Sequence, residues 1–282
     1  MLTSWSYALR RRLFGVEPPP VVPVVRLAGI IGALSPVRPG LSLAGLAPVL
    51  ERAFRWPGAK AVAIAINSPG GSAAQSSLIH NRIRALAAER KLKVHAFVED
   101  VAASGGYWLA CAGDDIHADQ TSIVGSIGVV SAGFGFPELL QRMGVERRLH
   151  ATGPHKAMLD PFRPEQPGDI ERLKEIQADL FESFKSLVRE RRAAKLKAEE
   201  SELFTGAVWS GRRALEMGLI DGLGEMRQLM RARYGEKVRL VAIGVRRGWL
   251  TRRLRPETAP GDWAAAALSA LEERMLWSRY GL

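Results

Sequence analysis

The sequence predicts an α/β protein in which parallel strands are layered by helices, and three features carry that expectation. Residues 61–66 (Ala-Val-Ala-Ile-Ala-Ile) are apolar at every position, as a strand buried on both faces must be. Residues 94–98 form a second, largely apolar run of strand length. Each run leads into a glycine-containing turn and then a helical pattern, and a repeated strand, turn and helix is the rhythm of parallel layering with right-handed crossovers.

Taken in order, residues 1–20 read as a short amphipathic segment followed by a proline-rich linker. Trp5, Leu9 and Leu13 stand at helical spacing beside Arg10, Arg11 and Arg12, and Pro18, Pro19 and Pro20 interrupt the apolar pattern before it reaches signal-peptide length. Within residues 21–32 the run Val21-Val22-Pro23-Val24-Val25 and then Ile30-Ile31, rich in β-branched side chains, predicts a first strand. Residues 41–54 carry Leu43, Leu46, Leu50 and Phe54 at helical spacing. After the strand at 61–66, Leu78, Ile79, Ile83 and Leu86 predict a helix. The uncharged stretch 120–137 is too short and glycine-rich to span a membrane and is expected to be a buried segment, with residues 121–130 as a glycine-punctuated strand region. Residues 150–164 read as an irregular loop, and 169–197 as a long amphipathic helix with Ile170, Leu173, Ile176, Leu180, Phe184 and Leu187 on one face. Residues 238–245 supply a last strand.

At 282 residues, with 47% hydrophobic and 24% charged residues, the chain can build one large core. One main domain is expected over residues 21–245, followed by a basic, tryptophan-containing helical tail at 246–282. The net charge of +11 is concentrated at residues 10–12, 189–192 and 246–255. Such clusters suit an anionic surface, and equally a solvated arginine-rich face. The expectation is a cytoplasmic protein with peripheral membrane contact at the inner face through its two terminal segments, and no nucleic-acid partner. The single cysteine, Cys111, cannot close an internal disulfide and reads as a small core residue. No histidine or cysteine cluster has metal-ligand spacing, so neither a metal nor a cofactor is expected.

The chemistry is expected at the two glycine turns. Residues 102–107 (Ala-Ala-Ser-Gly-Gly-Tyr) place Ser104 at a sharp strand-to-helix turn, where small neighbours allow close approach and free N–H groups stabilise developing negative charge. The Gly70-Gly71 turn after the preceding strand opens on the same sheet edge, as an oxyanion hole, a docking strip for substrate backbone, or a plain connection. Ser104 is therefore the candidate nucleophile, and it needs a base within hydrogen-bond reach. Of the five histidines, His80 and His95 read as structural and His155 remains a competitor. Lysine can serve if burial lowers its pKa, and Lys156 lies in an apolar, proline-flanked loop.

Five stretches in order carry a resemblance: Asn67-Ser68-Pro69-Gly70-Gly71, Ala102-Ala103-Ser104-Gly105-Gly106-Tyr107, Val124-Gly125-Ser126-Ile127-Gly128-Val129, Thr152-Gly153-Pro154-His155-Lys156 with Pro161-Phe162-Arg163-Pro164, and Phe204-Thr205-Gly206 with Gly218-Leu219-Ile220-Asp221-Gly222. With them the chain resembles peptidase family S49, the signal peptide peptidase A and SohB type. The resemblance implies a crotonase/Clp-protease-like fold with peripheral helices, and a serine endopeptidase with a Ser/Lys dyad. By it Ser104 is the nucleophile and Lys156 the base. Gly70, Gly71 and Gly105 hold the oxyanion or substrate backbone, and Ser126 orients the lysine. It also implies short hydrophobic or signal-type peptides as substrates and a homo-oligomeric ring in which serine and lysine can come from neighbouring subunits. The alternatives are a crotonase-like acyl-CoA enzyme and an inactive membrane-associated scaffold. The sequence departs from the family at Pro154-His155, where members often have an aromatic residue, and its N-terminus offers an amphipathic segment where many members have a membrane span.

Overall fold

The computed structural model describes residues 19–32, 40–153, 155–244 and 274–281. The expected amphipathic segment at 1–18 and most of the basic tail lie outside the described residues. The chain forms β1 (Val21–Ala28), α1 (Leu43–Phe54), β2 (Ala61–Ser68), α2 (Ala73–Arg90), β3 (Lys93–Ala103), α3 (Gly105–Ala110), β4 (Asp115–Ala118), β5 (Ile123–Gly125), α4 (Pro137–Arg142), α5 (Pro167–Arg192), α6 (Glu200–Leu203), β6 (Val208–Ser210), α7 (Gly211–Glu216), β7 (Gly222–Leu223), α8 (Met226–Tyr234) and β8 (Arg239–Ala242).

The strands make one sheet in the order β6-β5-β3-β2-β1-β8, with β4 beside β3 and β7 beside β4. Every pairing is parallel except β5 with β6. The apolar run of β2 occupies the middle, where both faces are covered, and Ala61 through Ile66 are all buried. On one face α1, α2 and α3 bury Leu50, Phe54, Ile79, Ile83 and Leu109 against Val62, Ile64 and Ile66. On the other, α8 brings Met230 onto Val22, Ala63 and Phe97. Ser42 and Ser72 cap α1 and α2, their hydroxyls accepting from the N–H groups of Gly45 and Gln75. Cys111 is buried, as expected, and burial pushes its thiol up to about 12.

Several expectations from the sequence are corrected. Strand β3 does not stop at its polar pair but continues to Ala103. Glu99 is held by Arg26 and Asp100 by the Asn67 amide, and a register shift between Ile66 and Ser68 absorbs the irregularity. Of the strand region expected at 121–130 only Ile123–Gly125 pairs, and the stretch 120–137 is not buried throughout, Val130 and Phe134 being 72% and 74% exposed. The apolar stripe of α5 is buried only in its second half. Phe184 and Val188 reach the core, whereas Ile176 and Leu180 face outward, as does Leu78 on α2. The arginine run 189–192 is not uniformly solvated. Arg192 is buried, donating to Asp221 Oδ2 at 2.7 Å and to the Gly218 carbonyl, and Arg191 donates to the carbonyls of Cys111 and Gly113. These contacts tie the end of α5 to the loops around β4 and β7.

Candidate active site

The site grows from the C-terminal end of β3. Its last residue, Ala103, pairs with Gly125 of β5, and the Ser104 N–H donates to the Gly125 carbonyl at 2.8 Å. There the backbone turns sharply, with Ser104 at φ 51° and ψ −120°. This is a conformation that L side chains rarely adopt, with a penalty of about 1–3 kcal/mol that the surroundings must hold in place. Ser126, the residue after Gly125, also has positive φ, 54°, and its N–H donates to the Ala207 carbonyl at 2.6 Å. Two serines thus leave neighbouring strands side by side, each in a strained conformation.

Glycines hold the turn by letting backbone approach backbone. A Cβ on Gly70 would lie 2.9 Å from Ser104 Cβ, 3.0 Å from the Ala103 carbonyl oxygen and 3.0 Å from the Gly105 nitrogen. A Cβ on Gly105 would lie 2.5 Å from Ser76 Oγ, and one on Gly106 would lie 2.4 Å from the Ser68 carbonyl oxygen. Gly70 itself has φ 108°, so its lack of a side chain serves both backbone conformation and contact. The two turns, distant in sequence, are thereby pressed together at one sheet edge.

The donors around the serine are not equivalent. The Gly70 N–H is engaged by the hydroxyl of buried Ser68 at 3.2 Å, and the Gly70 carbonyl accepts from Ile31. The Gly71 N–H meets no acceptor among the described residues, and the Gly105 N–H is the first of α3, where no intrahelical carbonyl is available. Sequence reading missed Ser68, whose hydroxyl takes one of the three expected glycine donors. The signal was present as a polar residue ending a fully apolar strand.

Lys156 is placed differently. It lies in a turn whose backbone bonds run from the Lys156 N–H to the Gly153 carbonyl, and its side chain is exposed, without a hydrogen bond or ion pair among the described residues. The expectation of a lysine buried in apolar surroundings is therefore corrected, and within one chain no hydrogen bond joins it to Ser104. The reason is the path of the described residues among 128–166, which leave the sheet after β5 and make the following contacts among themselves as an arm. Phe134, Phe136 and Phe162 stack in sequence, the Phe136 N–H donates to the Pro161 carbonyl, and Arg147 lies over Phe162 while pairing with Asp160. Helix α4 on this arm has no buried residue.

The histidines supply no base at Ser104 within the chain. His95 is buried and bonded to Asp115 and to the Tyr234 hydroxyl, His117 is buried beside the same Asp115, burial holds His80 below the ordinary imidazole range, and His150 and His155 are exposed. Among the described residues no group of side chains could hold a metal ion.

Residues 87–238, just over half of the chain, match the model of Peptidase family S49. A protein of Brucella abortus named Na(+)/H(+) antiporter NhaA is 52% identical over 96% of this chain, which covers 38% of that protein. Serine protease SPPA, chloroplastic, of Arabidopsis thaliana is 33% identical over 68% of the chain, and Protease 4 of Haemophilus influenzae 32% over 65%; the chain covers 29% of each. The chain thus spans under two fifths of the length of these three relatives. The antiporter name is the Brucella protein's own, and among the described residues no helix is long and apolar enough to cross a membrane.

Proposed function

The chain belongs to peptidase family S49, and from that membership together with the Ser104 turn we propose that it is a serine endopeptidase working through a Ser/Lys dyad. The observation that carries the reading is the strained backbone of Ser104, held by Gly70 and Gly105 beside two unengaged N–H groups. In this mechanism Ser104 Oγ attacks the peptide carbonyl carbon and its proton passes to the Lys156 amine. The oxyanion accepts from the N–H groups of Gly71 and Gly105. Collapse of the tetrahedral intermediate breaks the C–N bond, the lysine returns the proton to the leaving amine, and water then hydrolyses the acyl-enzyme by the same route.

Lys156 reaches Ser104 from a neighbouring copy in a ring. The exposed lysine and the uncovered apolar side chains of the same arm, Val130, Phe134, Leu139 and Met143, support that source. Ser126 holds the lysine amine, its position beside Ser104 supporting the role. The substrates are short hydrophobic or signal-type peptides, met at the cytoplasmic membrane face.

The test is mass spectrometry after treatment with a serine-acylating probe, comparing wild type, Ser104→Ala and Lys156→Ala. A single adduct on Ser104 that disappears in both variants is the expected result. Absence of any adduct on folded, oligomeric wild type overturns the dyad.

A further inference from the structure

The Gly70-Gly71 turn is aimed by contacts made outside it. Its two glycines have φ 108° and 139°, and glycine alone imposes little preference on such a turn, so the direction of the N–H groups is set by what holds them. Two peptide planes meet at the Gly70 Cα. The first carries the Gly70 N–H, which donates to Ser68 Oγ at 3.2 Å. The second carries the Gly70 carbonyl, which accepts from the Ile31 N–H at 2.8 Å. In a trans peptide the carbonyl and the following N–H point in opposite directions, and the peptide bonds among the described residues are all trans. With its carbonyl on Ile31, the second plane therefore turns the Gly71 N–H away from Ile31.

Ser68 stands on a fixed base. It ends β2 opposite Ala102 of β3 and is fully buried. The first turn of α3 closes on it: a Cβ on Gly106 would lie 2.4 Å from the Ser68 carbonyl oxygen and 3.2 Å from its Cβ. Asn67, the residue before, is tied to β3 by donating from its amide to Asp100 Oδ2 at 2.5 Å and accepting from the Val101 N–H at 3.3 Å. Between Ser68 and Gly70, Pro69 has its φ locked by its ring. The Pro69–Gly70 plane can then turn only through Pro69 ψ and Gly70 φ, and the Ser68 hydroxyl is the group that stops it. Without that hydroxyl the Gly70 N–H loses its acceptor, and a buried donor left unpaired costs more than the bond itself contributes.

The pivot of the turn lies against the nucleophile. A Cβ on Gly70 would lie 2.9 Å from Ser104 Cβ, and one on Gly105 would lie 3.5 Å from Gly70 Cα. Rotation at Gly70 therefore moves the Gly71 N–H relative to Ser104 and to the Gly105 N–H. Resting on the peptidase reading above, we propose that Ser68 is a positioning residue for the oxyanion: by engaging the Gly70 N–H it fixes the turn in which the Gly71 and Gly105 N–H groups serve as the donor pair. Such donors act most strongly where charge develops, so the role belongs to the transition state rather than to substrate binding.

The test compares wild type with Ser68→Ala on hydrophobic fluorogenic peptides, with the folded fraction of each measured by circular dichroism. The expected result is a kcat lower by about tenfold to a hundredfold with KM within about threefold. A peptide aldehyde of the same sequence supplies a second readout. Ser104 Oγ adds to the aldehyde carbon, the carbonyl π electrons pass to oxygen and the serine proton passes to the Lys156 amine, so the adduct carries the oxyanion as a stable species. Aldehyde inhibition should weaken by the same factor as kcat/KM falls. In the Ser104→Ala background, by contrast, a labelled uncleaved peptide should bind equally with and without Ser68→Ala. Should Ser68→Ala fail to fold, Ser68→Cys, whose sulfur is a weak acceptor, shows the same pattern at smaller size.

A kcat unchanged per folded enzyme overturns the role and leaves the peptidase reading standing. So does a loss carried wholly by peptide binding, or aldehyde inhibition that the substitution leaves intact. If wild type neither cleaves peptides nor takes the aldehyde, the peptidase reading fails and the role of Ser68 fails with it.

Discussion

Around Ser104, backbone presses on backbone: Gly70, Gly105 and Gly106 each leave no room for a methyl group, and β2 and β3 beneath them are buried on both faces. Around Lys156 the chain touches little besides its own arm, and large apolar side chains face outward. One half of the proposed dyad is thus fixed by the core of its own chain, while the other rides on a part whose apolar surface is uncovered. On the proposed dyad, the difference teaches that folding the body sets the geometry of Ser104, whereas the position of Lys156 is left to the proposed assembly.

The sharpest way to break this comparison is complementation. Ser104→Ala and Lys156→Ala should each lose about a thousandfold or more in kcat/KM. Mixed one to one and allowed to exchange subunits, they should recover activity, since about a quarter of the interfaces in a random closed ring join an intact serine to an intact lysine. Peptidase assays of the mixture against each parent decide it. No recovery despite demonstrated exchange places both groups in one chain and ends the distinction between body and arm.

Much of the body was legible because burial on two faces leaves a mark in the sequence. The continuous apolar runs of β2 and β3 announced parallel strands, and the glycine turns after them announced close approach at a common edge. What was not legible came from pairings between distant residues. Asp100 looks like the end of a strand until Asn67 is placed beside it, and the short strands β4 and β7 are defined by their neighbours rather than by pattern. Arg192 reads as surface until Asp221 and the Gly218 carbonyl are brought to it. The arm misled for another reason: its apolar residues suggest burial, but the described residues leave Val130, Phe134, Leu139 and Met143 half or more exposed, and composition does not reveal that. Ser104 followed from local pattern, whereas Lys156 rested mainly on family resemblance.

A second contrast uses glycines. Gly70→Ala sets a methyl group against Ser104 Cβ and the Gly105 nitrogen at a residue with φ 108°. It should lower stability by about 2–4 kcal/mol and activity by about a hundredfold, because the serine must move. Gly153→Ala, on the arm three residues before Lys156, has φ 97° but open space around the new Cβ. Its effect should be backbone strain alone, about 1 kcal/mol. Denaturant melts and kcat/KM for the two variants sharpen the comparison, and equal effects on activity would dissolve it.

The smallest effect concerns acid. In the body, burial would raise the Asp115 carboxyl, but His117, His95 and Arg233 around it outweigh burial and hold it well below the usual carboxylate range. A depressed carboxyl contributes stability that is fully present above its unfolded pKa, about 3.9, and is lost as pH falls through the folded value. Asp115→Asn should therefore lower stability at pH 7 by about 1–3 kcal/mol, with the gap to wild type narrowing below about pH 4. On the arm, the Arg142–Glu138 pair is 79% and 83% exposed, and solvent and salt screen such a pair. Glu138→Gln should leave the denaturation midpoint where it was at both pH values. Urea titrations at pH 7 and pH 3 separate the cases, and a constant gap for Asp115→Asn across that range would mean that its charge takes no part in holding the body together.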